Sequence, residues 1–320
     1  MALGEFELID KYFTRPVRRA ALGVGDDCAL LVPAPGTQLA VSTDLLIEGR
    51  HFLSTVLPER LGHKALAVNL SDLAACGARP LGFTLGLSLP QPDEAWLEGF
   101  ARGLFALAER HGCELVGGDT TRGPLAISIT VFGEVPAGQA LLRSGARPGD
   151  DVYVSGTLGD ARLALEVFRG AVSLPGEDFD RVRRAMELPQ PRVALGAALR
   201  GIATAAVDVS DGFAGDLGHV LRRSGVGATI EAEALPRSAV LARQPPEWQR
   251  RCTLTGGDDY ELVFTAPAAR RTEVEAAARE AGVPVTRVGR IDAEPGLRVL
   301  GPEGRPLAAD LHTFDHFKTP

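Results

Sequence analysis

Short acidic segments, rich in glycine or small polar residues, recur along this chain beside its apolar runs. The carboxylates they carry are Asp26 and Asp27 in GVGDDCALL, Asp44 in VSTDLL, Asp72 in NLSDLAACGA, Asp119 in LVGGDTTRG, Asp208 and Asp211 in AAVDVSDG, and Asp258 and Asp259 in TGGDDYEL. Ligands of open α/β sheets bind beyond the carboxyl ends of the strands, where helices begin. We therefore expect an α/β protein in which strand ends, joined by Asp72 from a helix, form a ligand site.

The spacing of apolar residues divides the first half of the chain into strands and helices. It predicts strands over 37–43, 114–116 and 125–134, and helices over 61–75 and 92–111. The first strand would present Asp44 at its end, and the second would run into Gly117, Gly118 and Asp119. Proline and glycine are dense over 136–150, so we place a boundary there between domains 1–139 and 140–320.

The second half repeats strand and helix in turn. Its pattern predicts strands over 151–154, 203–207, 228–231, 260–265 and 285–291, and helices over 161–169, 179–187, 192–199, 213–224 and 267–281. Pro267 would lie in the first turn of the last helix, where its missing N–H costs nothing. The fold class is two α/β or α+β domains.

Composition excludes several classes of function. With 34 Lys and Arg against 41 Asp and Glu the net charge is −7, and no basic run could follow a phosphate backbone, so nucleic acid is not expected as a partner. No apolar stretch approaches the roughly 18 residues that a membrane span needs, and the acidic N-terminus is unlike a secretory signal, which predicts a cytoplasmic protein. Four cysteines without a C-x-x-C pair suggest neither disulfides nor zinc; we expect buried hydrophobes, with a reactive thiol as the alternative.

Each acidic segment by itself is compatible with an ordinary turn or helix cap. If several carboxylates converge, however, they repel by about 4 kcal/mol per pair at 4 Å and an effective dielectric of 20, so a bound cation is expected. The neighbouring hydroxyls of Ser42, Thr43 and Ser210, without paired histidines or thiolates, suit Mg²⁺. Because Mg²⁺ usually binds together with phosphate, the site is predicted to transfer phosphate or cleave a nucleotide.

The common nucleotide-binding motifs do not occur. The chain has no G-x-x-x-x-G-K-[ST] and no protein-kinase set, and Gly23-Val24-Gly25 lacks the third glycine of a dinucleotide fingerprint. The segment from Asp208 to Asp211 is only loosely similar to an aspartyl-phosphate loop, because its second Asp comes one position late. A covalent aspartyl intermediate is therefore not favoured.

Nine blocks in order, nearly end to end, carry a resemblance to a known family: GEFELIDKYF, GVGDDCALL, VSTDLLIEGRHF, GHKALAVNLSDLAACGARP, LVGGDTTRG, RSGARPGDDVYVSG, DVSDGFAGDLGHV, LTGGDDYELVFT and FDHFKTP. Together they resemble the thiamine-monophosphate kinases of the AIR-synthetase-like, or PurM-like, superfamily. The resemblance implies ATP-dependent phosphorylation of thiamine monophosphate to thiamine diphosphate, the last step of its biosynthesis. It also implies direct in-line transfer of the γ-phosphoryl group with ATP as co-substrate and several Mg²⁺ ions.

The resemblance also implies roles for individual residues. Mg²⁺ ligands, direct or through water, would be Asp27, Ser42, Thr43, Asp44, Asp72, Asp119, Asp208 and Asp211, and Asp26 could share or replace Asp27. Contacts to ATP would come from Gly118, Asp119, Arg143 and Ser210, and contacts to thiamine monophosphate from His51, Asp258 and Phe314. No general base is assigned, because the attacking phosphate oxygen is already ionised at neutral pH.

The implied fold is a two-domain PurM-like homodimer. Its N-terminal sheet domain would bind ATP and Mg²⁺ and form a barrel-like dimer interface, and its C-terminal α/β domain would contribute to the nucleotide and substrate sites. The alternating strand at 125–134 fits such an interface, although a sheet within one chain would have the same pattern. The alternatives are a hydrogenase-maturation, selenophosphate-forming or purine-ring-forming member of the superfamily, and a nonenzymatic Mg-nucleotide-binding regulator. The blocks VSTDLLIEGRHF and TGGDDYEL favour the thiamine branch, and intact acids in every block argue against the regulator.

Overall fold

The computed structural model describes residues 4–307 and 311. Contacts between residues divide the chain into two compact units: unit 1 is the chain up to Leu73 together with Ala78–Gly138, and unit 2 is Ala74–Gly77 together with the chain from Gln139. The change of unit after Gly138 lies in the segment dense in proline and glycine. The functional roles that the sequence suggests for the two domains stay predictions.

Unit 1 is built on a four-stranded sheet with strand order β1-β4-β2-β3. The strands are β1 (Thr37–Ile47), β2 (Arg79–Leu89), β3 (Glu114–Arg122) and β4 (Ala126–Pro136); the helices are α1 (Glu5–Leu8), which leads into a π-helical turn at Ile9–Phe13, α2 (Pro58–Ala75), whose last two residues belong to unit 2, and α3 (Glu94–His111). Strand β4 pairs antiparallel with β1 on one side and β2 on the other, and β3 runs parallel to β2. The strand predicted at 125–134 is therefore central in a sheet formed within one chain.

Helices α2 and α3 pack closely against each other through glycine. A Cβ added at Gly62 would lie 2.0 Å from the carbonyl oxygen of Phe100, and one added at Gly103 would lie 1.8 Å from that of Glu59. Helix α3 begins where the Asp93 carboxylate accepts the N–H groups of Ala95 and Trp96, two residues after the predicted start at 92. Both helices contribute fully buried leucine side chains to the core, and α3 adds the buried Phe100.

Unit 2 contains a six-stranded sheet with order β10-β7-β9-β5-β8-β6, in which only β7 and β10 pair in parallel. The strands are β5 (Asp150–Ser155), β6 (Ala205–Asp208), β7 (Gly227–Glu231), β8 (Leu262–Pro267), β9 (Val285–Asp292) and β10 (Gly296–Leu300). The helices are α4 (Asp160–Phe168), α5 (Gly176–Glu187), α6 (Val193–Ala198), α7 (Phe213–Ser224), α8 (Ala239–Ala242), α9 (Pro246–Thr255) and α10 (Arg271–Ala281).

The sheet of unit 2 is buried on both faces. On β5, Val152 and Val154 belong to the hydrophobic cluster that contains Phe213 of α7, whereas Tyr153 belongs to the cluster that contains Leu195 of α6. This follows from the alternation of side chains along a strand. The mixed α/β class predicted from the sequence is confirmed.

Some predicted elements were wrong or missed. Pro267 ends β8 in an extended conformation, with φ −58° and ψ 137°, and α10 begins only at Arg271. Strand β2 was not predicted, although its leucine and phenylalanine residues alternate with glycine, threonine and serine over 81–89. Helix α9 and strand β10 were also missed.

Within residues 4–307 and 311, no helix combines the length and the apolar character needed to cross a membrane.

Candidate active site

The acidic residue of β1 lies inside the strand and not at its end, because β1 continues to Ile47. Ser42 and Asp44 share one face of the strand, which is turned toward α2. On that helix Asn69 Oδ1 accepts the main-chain N–H of Asp44 at 3.1 Å, and Oδ2 of Asp72 accepts the hydroxyl hydrogen of Ser42. The structure thus brings together Ser42, Asp44 and Asp72, three of the predicted metal ligands.

The electrostatics of this group favour a cation. Burial, and next the charge of Asp72, raise the pKa of the Asp44 carboxyl to about 6. Two carboxylates and a hydroxyl are hard oxygen donors of the kind that Mg²⁺ prefers, and a dication between them would relieve their repulsion. In the part of the chain that the structure describes, no group of three or more His, Cys, Asp or Glu side chains could hold a metal. A partial donor set suits Mg²⁺, which keeps several waters and takes phosphate oxygens as further ligands.

Thr43 occupies the other face of β1. Its side-chain oxygen lies 2.9 Å from that of Thr130, its partner on β4. Because successive side chains of a strand point to opposite faces, Thr43 is separated from Ser42 and Asp44 by the sheet itself. Its predicted role as a ligand stays a prediction.

Gly118 and Asp119 also lie within a strand, because β3 continues to Arg122. Gly118 has φ 149°, and a Cβ there would lie 2.0 Å from the carbonyl oxygen of Leu85, so only glycine fits. The missing Cβ lets the neighbouring strand β2 lie close to this main chain. The predicted contact of Gly118 with an ATP phosphate stays a prediction. A cleft beside these two residues is lined by Ile9, Phe13, Val24, Leu85, Leu115, Gly117, Gly118, Asp119 and Thr120.

Asp26 and Asp27 lie in an exposed loop of unit 1, closed by an isolated bridge between Leu22 and Leu30. The N–H of Asp27 donates to Oδ1 of Asp26 at 2.9 Å, as in a local turn. The prediction that they follow a strand end is wrong. Their assignment as metal ligands stays a prediction.

Cys28, which follows directly, is exposed, so the expectation of buried cysteines is wrong at this position. Cys113 and Cys252 are buried as expected. Burial raises the pKa of both thiols, and that of Cys252 rises to about 12.

His51 folds back over the end of β1. Its ring Nδ1 accepts the main-chain N–H of Ile47 at 3.0 Å. The neutral ring then carries its proton on Nε2, because the nitrogen that accepts a bond cannot also hold the hydrogen. Nε2 of His51 can therefore donate a hydrogen bond, and the predicted contact of His51 with thiamine monophosphate stays a prediction.

In unit 2 the predicted residues Asp208, Ser210 and Asp211 follow one another at the end of β6. Asp208 is the buried last residue of that strand. The carboxylate Oδ2 of Asp216, on α7, accepts the main-chain N–H groups of Ser210, Asp211 and Gly212 at 3.1, 3.1 and 3.0 Å. Burial, and next the charge of Asp211, raise the pKa of Asp216 to about 7. Asp216 was not predicted as part of the site, although it is an acid in the first turn of the predicted helix.

Asp258 and Asp259 precede β8 and follow α9, so they do not lie at the end of a strand as predicted. Asp258 has φ 74° and Tyr260 has φ 52°, a left-handed backbone that residues other than glycine rarely adopt. The N–H of Asp258 donates to the carbonyl of Ser210 at 2.8 Å, and that of Tyr260 to the carbonyl of Val209 at 2.9 Å. Asp258 is thus tied to the loop that carries Ser210 and Asp211.

Two neighbouring acids, Asp259 and Glu261, attach the segment around Asp258 to other parts of unit 2. Oδ2 of Asp259 accepts the N–H of Gly159 at 2.8 Å, and removal from water raises its pKa well above the usual range. The buried Glu261 accepts the hydroxyl of Ser155 at 2.5 Å and pairs with the guanidinium of Arg192. These contacts attach the residues that follow Asp258 to unit 2, and they could not be predicted because each joins distant parts of the chain.

Arg143 lies exposed in unit 2, and its carbonyl accepts the hydroxyl of Ser224 at 3.4 Å. Its charge acts on His219 of α7: burial lowers the pKa of His219, Arg222 and Arg143 lower it further, and Asp211 opposes them. Arg143 and Asp211 therefore act electrostatically on the same histidine. Phe314 lies outside the described residues, as do His312 and His316.

Comparisons with known proteins place this arrangement in a family. Residues 25–135 match the model for the AIR synthase related protein, N-terminal domain, and residues 147–301 match that for the C-terminal domain. A curated thiamine-monophosphate kinase from Salmonella typhimurium strain LT2 is 47% identical over 327 aligned positions, which cover 100% of both chains. The chain belongs to the thiamine-monophosphate kinase family.

Solved structures of thiamine-monophosphate kinases share its fold over nearly the whole chain. The crystal structure of the Stenotrophomonas maltophilia K279a enzyme has a TM-score of 0.86 and 47% identity, covering 96% of this chain and 99% of that one. A structure of AaThiL complexed with AMPPCP and TMP has a TM-score of 0.77 and 31% identity, covering 98% and 97%. The membership predicted from the nine sequence blocks, and the PurM-like fold, are confirmed.

Proposed function

We infer that this chain transfers the γ-phosphoryl group of ATP to thiamine monophosphate, giving thiamine diphosphate and ADP, as the last step of thiamine diphosphate biosynthesis. The observation that carries this is 47% identity, over all of both chains, to a curated thiamine-monophosphate kinase. The relative solved with AMPPCP and TMP supports the same pair of substrates. The reaction is an in-line transfer between two polyanions, so binding, alignment and charge neutralisation supply most of the catalysis.

We propose Mg²⁺ as the cofactor, in several copies. In unit 1 its ligands would be Asp27, Ser42, Thr43, Asp44, Asp72 and Asp119, and in unit 2 they would be Asp208 and Asp211. The group of Ser42, Asp44 and Asp72 supports the assignment, because it places two carboxylates and a hydroxyl together and a dication would relieve the repulsion that raises the pKa of Asp44. When bound, the metal would neutralise charge on the phosphates.

We propose that nucleotide and substrate are held by different kinds of contact. Arg143 would pair with an ATP phosphate through its planar guanidinium, Gly118 would let the phosphate approach the main chain, and Ser210 and Asp119 would complete the nucleotide contacts. His51 would donate from Nε2 to thiamine monophosphate, Asp258 would accept from its aminopyrimidine, and Phe314 would stack on a ring. The attacking phosphate oxygen needs no base.

We propose that the protein is a homodimer that associates through the sheet of unit 1. One face of β1 exposes Leu39, Val41, Leu45 and Ile47, each between 42% and 55% exposed. A contiguous apolar face on a strand marks an interaction surface, and a second copy would bury it in a barrel-like interface. A cytoplasmic location stays a prediction from the sequence.

The function is tested by incubating the purified protein with ATP, MgCl₂ and thiamine monophosphate, and resolving products by chromatography. We expect thiamine diphosphate and ADP in a one-to-one ratio, and no thiamine diphosphate when EDTA replaces the metal. Reactions with free thiamine in place of its monophosphate serve as the control for acceptor choice. ATP binding, or ADP formation, without thiamine diphosphate would contradict the proposal and favour another branch of the superfamily.

A further inference from the structure

The loop that carries Ser210 and Asp211 is held by a side chain with no assigned role. Three consecutive main-chain N–H groups, of Ser210, Asp211 and Gly212, donate to the same oxygen, Oδ2 of Asp216. We infer that Asp216 is a positioning residue, which sets the orientation of the Ser210 and Asp211 side chains toward nucleotide and metal. This inference rests on the function proposed above.

The three hydrogen bonds to Asp216 Oδ2 stabilise the loop before α7 and not the helix itself. An ordinary capping side chain precedes its helix and accepts N–H groups of the first helical turn. Here the order is reversed, because the acceptor lies inside the first turn of α7 and its donors come before it. Gly212 at the N-cap position has no side chain, and the main-chain N–H of Asp216 donates to the carbonyl of Gly212 at 3.0 Å. That main-chain bond is the first i→i−4 bond of α7, so the carboxylate of Asp216 is the group that holds the loop.

The arrangement also determines how the loop can meet a ligand. Successive main-chain N–H groups that converge on one point form a concavity, and in many proteins such a concavity binds a phosphate or another anion. In this protein its occupant is the carboxylate of Asp216. The main-chain N–H groups of the loop are thus already hydrogen bonded to Asp216. The loop would therefore contact nucleotide and metal through the Ser210 hydroxyl and the Asp211 carboxylate.

The opposite side of the loop is attached to the segment that carries Asp258. The carbonyl of Ser210 accepts the N–H of Asp258 at 2.8 Å, and a Cβ at Gly257 would lie 2.3 Å from the same carbonyl oxygen. A shift of the Ser210 main chain would therefore move Asp258 as well. Loss of the Asp216 anchor should weaken contacts to thiamine monophosphate in addition to contacts to nucleotide and metal.

The burial of Asp216 makes its role testable by conservative replacement. The residue is only 4% exposed, and a buried carboxylate is costly unless it is fully hydrogen bonded. All three loop bonds use one oxygen, which the amide of asparagine also offers. Asp216→Asn should keep the anchor, whereas Asp216→Ala removes it and leaves three donors without their acceptor.

The experiment compares Asp216→Ala, Asp216→Asn and the wild type by amide hydrogen exchange over residues 207–216 and by steady-state kinetics with varied Mg²⁺ and thiamine monophosphate. Asp216→Ser, whose hydroxyl oxygen is one bond closer to the main chain than the aspartate oxygen, replaces the alanine variant if that one does not fold. Asp180→Ala is the matched control, because Asp180 is an exposed acid of unit 2 that pairs with Arg184 on α5.

For Asp216→Ala we expect exchange at residues 210–212 to accelerate about tenfold or more, kcat to fall about a hundredfold, and half-saturating Mg²⁺ to rise. Asp216→Asn should restore both protection and kcat to within about fivefold of the wild type, because the asparagine amide oxygen can accept the same three N–H groups. Unchanged exchange and kinetics in Asp216→Ala would overturn the inference, as would an asparagine variant with protected amides and no recovered activity. A wild type without phosphotransfer would instead contradict the proposed function, and exchange would still test the anchor.

Discussion

Asp44 on β1 and Gly118 on β3 lie in the same row of the unit 1 sheet, with Ile129 of β4 and Leu85 of β2 between them. Three interstrand steps of about 4.8 Å separate the two main chains by about 14 Å. The carboxylates of Asp44 and Asp72 and the main chain of β3 at Gly118 therefore lie in separate parts of unit 1. Substitutions at the two positions should have separable effects.

Replacing Gly118 by alanine should damage nucleotide binding and stability. The added Cβ would lie 2.0 Å from the Leu85 carbonyl, and φ 149° is a conformation that alanine avoids. Strain of this kind costs about 1–3 kcal/mol, and the strand would have to shift at the proposed phosphate contact. We expect a lower urea midpoint and a raised KM for ATP. Gly117→Ala is the matched control, because its Cβ would meet only a methyl group of Thr84, at 3.8 Å; equal behaviour of the two variants would contradict the prediction.

Replacing Asp44 by asparagine should abolish Mg²⁺-dependent turnover without unfolding the protein. Burial and Asp72 penalise the charged form of Asp44, so its neutral isostere should leave the melting temperature of the metal-free protein unchanged or raised. We expect kcat to fall by about two orders of magnitude or more, since a ligand carboxylate is lost.

The measurement pairs kinetics over a range of Mg²⁺ with thermal melts in EDTA, and Asp10→Asn, an exposed acid outside the site, is the control. Full activity of Asp44→Asn would rule out the metal assignment. A lower melting temperature in EDTA would instead mean that the charged carboxylate stabilises the metal-free fold.

Acid should weaken unit 1 partly through Glu114. Burial raises the pKa of this carboxyl, but the main-chain N–H groups of Ala20, Arg18 and Arg19 outweigh it and hold the pKa below the usual 4.5. Because the folded pKa is the lower one, the stabilisation is present above pH 4.5 and is lost as pH falls through the folded value. In urea unfolding, Glu114→Gln should be less stable than the wild type at pH 7, and the difference should shrink as the pH falls below 4.5. A difference independent of pH would contradict this account.

A charge on the exposed face of β1 should prevent self-association. Val41 is 55% exposed at the centre of that face, and burying a lysine against a second copy would cost more than the apolar contact returns. We expect Val41→Lys to sediment as a monomer at a concentration where the wild type is a dimer. Val32→Lys, at an exposed valine outside β1, should remain dimeric. A monomeric wild type would contradict the proposed dimer.

Helices with local signals were predicted well, and strand ends were not. The prediction for α7 matched both ends, and α3 ended at the predicted Gly112, because capping residues act on their own helix turn. Strand β1 instead continued past Asp44, since its length depends on hydrogen bonds with β4, about eighty residues away in sequence. For the same reason β3 continues through Gly118 and Asp119, which pair with β2. Pro267 likewise ends strand β8 and does not begin a helix.

By itself the sequence determined the family, the hard-oxygen donors and the reaction class, because residue types and their order suffice for a motif. Only the tertiary structure decided which donors meet. It placed Ser42 and Asp44 against Asp72 and put Thr43 on the other face, because sheet register sets the face of each residue. It also brought the Asp216 carboxylate to three loop amides and tied Ser210 to Asp258, contacts that form only when α7 and the segment before β8 have packed around the end of β6.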